Sequence, residues 1–174
     1  MNKAIFLDRD WTLTDESCYP DFFAKNCKLM EKNIWEILKK LKEKWYLLII
    51  ITNQAWIDKG YYTKKDFWNF MEELQKQLDF KFDWIFFCPY HPDFSWNYPC
   101  RKPNNWMILE AWKKFDIDLK KSYMIWDSKK DIEAWKKSNC KTVLYNSKNL
   151  DIKNFEEKTD FVIKNFEELL KIIN

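Results

Sequence analysis

Tyr46 to Ile51 reads YLLIII, a largely β-branched run that is apolar at every position. A strand with one wet face alternates apolar and polar residues. A run with no polar position must be covered on both faces, as a central strand of a parallel sheet is by its two helix layers. The neighbouring segments supply the other parts. Lys3 to Asp8 (KAIFLD) is a short apolar run ending in a carboxylate, and Glu31 to Lys44 places Ile34, Ile37, Leu38 and Leu41 on one helical face. Thr63 to Asp66 (TKKD) is a capping-box pattern opening a helix that carries Phe67, Phe70, Met71, Leu74 and Leu78. Further strands are expected at Asp83 to Phe87, Ser122 to Trp126, Lys141 to Tyr145 and Phe161 to Ile163. Helices are expected at Asn104 to Phe115, at Asp131 to Lys137 and from beyond Ile163 to Ile173. Strands that alternate with helices form a parallel sheet covered on both sides.

The chain's 174 residues suit one domain spanning 1–174. A net charge of +3 points to no nucleic-acid or membrane partner, and no apolar run is long enough to span a bilayer. The amino terminus reaches Asp8 after a few apolar residues, unlike a signal peptide. Cys18, Cys27, Cys88, Cys100 and Cys140 are odd in number and form no CxxC, so a disulfide framework is not expected and the protein reads as reduced and cytoplasmic.

In a parallel α/β sheet, ligands bind at the carboxyl ends of the strands. Asp8 and Asp10 end the first strand, Thr52, Asn53 and Gln54 the second, and Asp127 the fourth; Arg101 and Lys102 follow the third after a long loop. Carboxylates gathered at one sheet edge repel one another unless a cation compensates. Magnesium suits hard oxygen ligands and accepts phosphate oxygens, a lysine neutralises phosphate charge, and a threonine hydroxyl donates to it. The set fits phosphoryl transfer, with one carboxylate as nucleophile and a second, two residues on, as acid and base.

DRDWTL, IITNQ, CRKP and WDSKKD, in this order and spacing, resemble the motifs of the haloacid dehalogenase (HAD) superfamily of phosphatases. TNQAWIDKGYYTKKDF, CPYHP and CRKP resemble the branch of heptose-1,7-bisphosphate and histidinol-phosphate phosphatases. The resemblance implies a Rossmann-like three-layer sandwich with a mainly parallel sheet of order 3-2-1-4-5. No segment is long enough for a large cap domain. It implies Asp8 as nucleophile, Asp10 as general acid and base, and Lys102 as the phosphate-stabilising cation. Thr52, Asn53, Gln54 and Arg101 would hold phosphate or substrate. Asp8, Asp127 and the Asp10 carbonyl would bind Mg2+, with Asp131 in support. The expected reaction is magnesium-dependent hydrolysis of a sugar bisphosphate, such as D-glycero-D-manno-heptose 1,7-bisphosphate losing its 7-phosphate. The expected agent is a monomer acting on a small phosphorylated metabolite. The alternatives are a histidinol-phosphate phosphatase and, in a different class, a non-catalytic phospho-ligand binding module. A phospho-accepting receiver is disfavoured by Asp10, which would hydrolyse the phosphoaspartate such a protein must keep. Branch members often bind structural zinc in the loop before the lysine motif. Here Tyr90 and Tyr98 stand at two ligand positions, and Cys88, His91 and Cys100 form an incomplete set, so zinc is not expected.

One composition feature stands apart: a single glycine and 11 tryptophans. Average usage of about 7% would give roughly 12 glycines. Trp11, Trp45, Trp56, Trp106, Trp126 and Trp135 stand where glycine is expected from the motifs or from a helix end. Translation of UGA as tryptophan, where the source organism reads it as glycine, would be one cause.

Overall fold

The computed structural model describes residues 1–15, 27–95, 98–127, 138–148 and 159–173. Six strands form one sheet: β1 (Lys3–Leu7), β2 (Tyr46–Asn53), β3 (Trp84–Cys88), β4 (Tyr123–Trp126), β5 (Lys141–Tyr145) and β6 (Phe161–Ile163). The order is β3-β2-β1-β4-β5-β6 and every pairing is parallel, so the expected order gains β6 at its edge. The chain begins in the middle of the sheet, builds outward through β2 and β3, and returns to the other side of β1 with β4. That reversal opens a crevice at the carboxyl end of β1.

Alternation along the strands divides the core. Ile5, Leu7, Leu48, Ile50, Ile125 and Val143 face one layer, packed against α1 (Ile34–Glu43) and α2 (Lys64–Gln77). Ala4, Phe6, Ile49, Ile51, Met124 and Leu144 face the other, where α3 (Trp106–Phe115) brings Met107, Ile108 and Ala111. Both faces of YLLIII are thus covered, and each fully buried Ile or Leu contributes about 1.5–3 kcal/mol. The α1 stripe Ile34, Ile37, Leu38 and Leu41 is buried as its spacing predicts. Thr63 caps α2 by accepting from the Asp66 amide while the Asp66 carboxylate accepts from the Thr63 amide.

Element ends differ from the sequence expectation for local reasons. β2 runs on through Thr52 and Asn53, which pair with Phe87 and Cys88. β4 begins after Ser122, whose hydroxyl accepts from the Ala4 amide and donates to the Asp118 carbonyl. The last helix is a 3-10 turn (Phe166–Glu168) running into α4 (Leu169–Ile172). The helix expected over 131–137 lies outside the described residues.

Candidate active site

Asp8 follows β1 directly, and its amide donates to the Ile125 carbonyl of β4 (3.0 Å), fixing it at the crevice. The chain then curls. The amides of Leu13 (2.8 Å) and Thr14 (3.1 Å) both donate to the Arg9 carbonyl, and Trp11 donates to the Thr14 carbonyl (2.7 Å). This turn leaves the charges of Asp8 and Asp10 both close enough to act on Asp127.

Asp8 is 8% exposed. One carboxylate oxygen accepts from the Arg9 amide (2.8 Å) and the other is ion-paired with Lys102 Nζ. Lys102 is itself buried, and a buried charge needs such a partner. Its place is set by Asn53, at the end of β2. The Asn53 amide nitrogen donates to the Lys102 carbonyl (3.0 Å), and its oxygen accepts from the Lys102 amide (3.0 Å). Asn53, expected as a substrate contact, therefore has both ends of its side chain on the main chain of Lys102. Thr52 is fully buried beside them and accepts from Gln54 Nε2 (2.8 Å).

Asp127 follows β4. Burial, and then the charge of Asp8, push its pKa up to about 7, against the pull of Lys102; Asp10 adds to the rise. Two carboxylates crowded this way are the setting in which a hard cation is stabilising. Asp8, Asp127 and the Asp10 carbonyl, all oxygen donors, fit magnesium in chemistry. Among the described residues, no group of three or more His, Cys, Asp or Glu side chains stands as a metal cage. Asp131 lies outside the described residues.

Arg101 borders a cavity of about 240 Å³ next to Lys102, lined also by Tyr90, His91, Ser95 and Asn104. Its guanidinium donates to the Tyr90 carbonyl (3.1 Å). The loop over this cavity corrects one expectation. Cys88 and Cys100 are joined by a disulfide, and Cys27 is disulfide-bonded as well, so the expectation of a reduced chain without bridges does not hold; among the described residues Cys140 is free and buried. Cysteine number and the lack of CxxC do not decide pairing: the end of β3 meets the returning loop with the Cys88 and Cys100 Cα atoms 5.5 Å apart, within bonding range. Tyr90 and Tyr98 stack with ring centroids 3.5 Å apart.

Two residues of the site escape the sequence reading. Arg9, 1% exposed, donates to Asp10 Oδ1 from Nε (2.8 Å) and Nη2 (2.6 Å). Its position between two carboxylates was a usable signal. Tyr62 donates to Gln54 Oε1, and Gln54 Nε2 donates to Asp10 Oδ2 (2.9 Å). Nothing in sequence marks Tyr62, because the contact depends on how the loop after β2 folds back.

The chain is 38% identical over 173 residues to a D-glycero-β-D-manno-heptose-1,7-bisphosphate 7-phosphatase of Helicobacter pylori, covering 92% of this chain and 97% of that protein. It belongs to the HAD phosphatases. The HAD-hydrolase-like family model matches residues 99–169. A D-glycero-α-D-manno-heptose-1,7-bisphosphate 7-phosphatase of Campylobacter jejuni is 31% identical, over 99% of this chain and 94% of its own length. Among solved structures, the D,D-heptose 1,7-bisphosphate phosphatase of B. bronchiseptica, complexed with magnesium and phosphate, superposes with a TM-score of 0.83 at 23% identity. It covers 98% of this chain and 99% of its own. At that identity the superposition speaks for the HAD fold. Among the described residues of this HAD phosphatase, no helix is long and apolar enough to cross a membrane.

Proposed function

We propose that this phosphatase removes the 7-phosphate of D-glycero-D-manno-heptose 1,7-bisphosphate through an aspartyl-phosphate on Asp8. The observation that carries the mechanism is the buried Asp8–Lys102 ion pair with Asp127 and Asp10 beside it. An Asp8 carboxylate oxygen attacks phosphorus as the bond to the sugar oxygen breaks. Asp10 gives its proton to that leaving oxygen. Asp10 then takes a proton from water as the water oxygen attacks phosphorus, and the Asp8–phosphorus bond breaks to release inorganic phosphate. Lys102 neutralises phosphoryl charge throughout, and its placement in advance by Asn53 is what makes that help effective. Magnesium, held by Asp8, Asp127 and the Asp10 carbonyl, would supply positive charge against the phosphoryl oxygens. The substrate class rests on the names of the relatives and on Arg101, a cation at the cavity beside Lys102 that suits a second phosphate.

The test is phosphate release from heptose 1,7-bisphosphate, histidinol phosphate and p-nitrophenyl phosphate, with and without magnesium, in the protein and in Asp8→Asn. The heptose substrate should have the highest kcat/KM, and Asp8→Asn should be folded and inactive. Substantial turnover by Asp8→Asn would remove the nucleophile assignment. Preference for histidinol phosphate would remove the substrate assignment alone.

A further inference from the structure

Asp10 is held from two sides, by Arg9 on Oδ1 and by Gln54 Nε2 on Oδ2. The Gln54 amide is 2% exposed and nearly symmetric in shape, so packing alone does not choose which end faces Asp10. Turned over, it would set Oε1 against the carboxylate, acceptor against acceptor. The choice is made at the far end, where the Tyr62 hydroxyl donates to Oε1. Burial raises the Tyr62 pKa against the pull of Arg9, which also hydrogen-bonds the Tyr62 hydroxyl, so the phenol keeps the proton that it donates and touches both groups that hold Asp10. Thr52 Oγ1 accepts the remaining Gln54 hydrogen (2.8 Å), and Arg9 is steadied by the Phe70 ring (centroid 4.7 Å away).

We propose that Tyr62 is a positioning residue, which through Gln54 fixes the orientation of the Asp10 carboxyl for proton transfer to the leaving group. This rests on the acid and base role proposed for Asp10. A general acid matters when the leaving oxygen is a poor leaving group, as a sugar alkoxide is, and little when it departs unprotonated, as p-nitrophenolate does. The two substrates therefore separate positioning of the acid from general damage. Tyr62→Phe keeps the ring and loses only the hydroxyl. Asp10 also serves as base in hydrolysis of the aspartyl-phosphate, a step common to both substrates, so the comparison is made in kcat/KM, which covers only the steps through departure of the leaving group. For Tyr62→Phe, kcat/KM on an alkyl or sugar phosphate should fall about 10-fold, a fraction of the usual general-acid contribution. On p-nitrophenyl phosphate it should change less than about twofold. Gln54→Leu should lower kcat/KM on the alkyl phosphate further, and melting temperatures of both variants check folding. Equal losses of kcat/KM on the two substrates in Tyr62→Phe, or none, would overturn the proposal. Asp10→Asn separates the layers. If it loses alkyl phosphate kcat/KM selectively while Tyr62→Phe does not, only the relay from Tyr62 is wrong. If Asp10→Asn keeps alkyl phosphate kcat/KM, the acid assignment and the relay both fall.

A different set of residues carries a second proposal. Trp11 and Trp45 have φ of 62° and 64°, the left-handed region that the one glycine, Gly60, also occupies at 76°. A bulky residue there is a conformational outlier, whereas glycine adopts it freely. Trp45 gains no burial in return, being 87% exposed in the turn between α1 and β2. Trp126, next to Asp127, is fully buried, and its indole N–H has no hydrogen-bond partner among the described residues. The backbone thus holds two tryptophans, Trp11 and Trp45, in a conformation that suits glycine, in a chain with 11 tryptophans and one glycine. We infer that the source organism inserts glycine at Trp11, Trp45 and Trp126 by reading UGA as glycine. Trp56 and Trp106, both part-exposed, are further candidates, and Trp135 lies outside the described residues. Mass spectrometry of peptides from the source organism should find glycine at Trp11, Trp45 and Trp126; tryptophan at these positions would overturn the inference. In the chain as written, Trp45→Gly should raise the melting temperature by a few degrees, as relief of positive-φ strain requires. A lower melting temperature would remove the backbone argument.

Discussion

The two edges of the sheet use the same residue types for opposite ends. At the amino edge, the residue just before a strand caps its neighbour. Asp83 accepts from the Leu48 amide (2.8 Å), Ser122 from the Ala4 amide (3.0 Å), and Asp160 from the Thr142 amide (2.7 Å). Each of these side chains completes a main-chain hydrogen bond that the ladder leaves open. At the carboxyl edge the partners are mostly side chains: Lys102 pairs with Asp8, Arg9 and Gln54 hold Asp10, and Asp127 is crowded by Asp8. An aspartate is therefore structural or chemical according to what it faces. Main-chain amides at one edge consume its charge locally, while crowding at the other leaves charge to be used on a ligand.

The sharpest way to break this contrast is to neutralise one aspartate at each edge. Asp8→Asn should lower kcat by about 10³-fold or more, as expected for loss of a covalent nucleophile, while Asp160→Asn leaves kcat within about twofold. Comparable losses from both would mean that the edges are not functionally distinct. Chelation should act on the carboxyl edge alone, cutting turnover by about 100-fold or more until magnesium is restored. Arg101→Ala should then sharpen the picture within that edge. It should raise KM for the bisphosphate about 10-fold or more, and hardly change KM for p-nitrophenyl phosphate, if Arg101 holds a second phosphate. Equal effects on the two would place Arg101 outside the substrate contacts.

A smaller effect concerns pH. The raised pKa of Asp127, about 7, means that the folded metal-free protein keeps this proton where the unfolded chain has already lost it. The folded form then binds more protons, so metal-free stability should fall as pH rises from about 4 through 7, with no further loss from this group above that range. Melting curves across this range, with and without magnesium, check it. Magnesium should flatten the decline, and a metal-free stability that rises with pH through this window would contradict the crowding of Asp127. Smallest of all, Asp83→Ala at the amino edge should cost about 1–3 kcal/mol of stability by denaturant melting, the cost of leaving a main-chain donor unpaired, with kcat unchanged.

Much of this was legible in sequence because it depends on local order along the chain. YLLIII is apolar throughout, so it had to lie between two helix layers, and residues ending such strands had to meet at one edge. That reasoning placed Asp8, Lys102 and Asp127 together, and the helix stripe Ile34, Ile37, Leu38 and Leu41 in the core. The end of β2 was less legible. Asn53 reads as a polar strand-end residue that would touch substrate, and nothing local shows that it also clamps the Lys102 main chain, a partner 49 residues away. The Cys88–Cys100 bond was missed for the same kind of reason, since cysteine counts say nothing of where a loop returns.

By itself, then, the sequence determined the strand and helix alternation, the buried faces and the acidic edge, because each follows from periodicity over a few residues and from parallel-sheet topology. Only the tertiary structure decided which distant partner each polar group takes: Tyr62 turning the Gln54 amide, Asn53 clamping Lys102, and the amino-edge aspartates on main-chain amides. Hydrogen bonds are short and directional, so which of several nearby donors meets a given acceptor is set by placements finer than any pattern along the chain records.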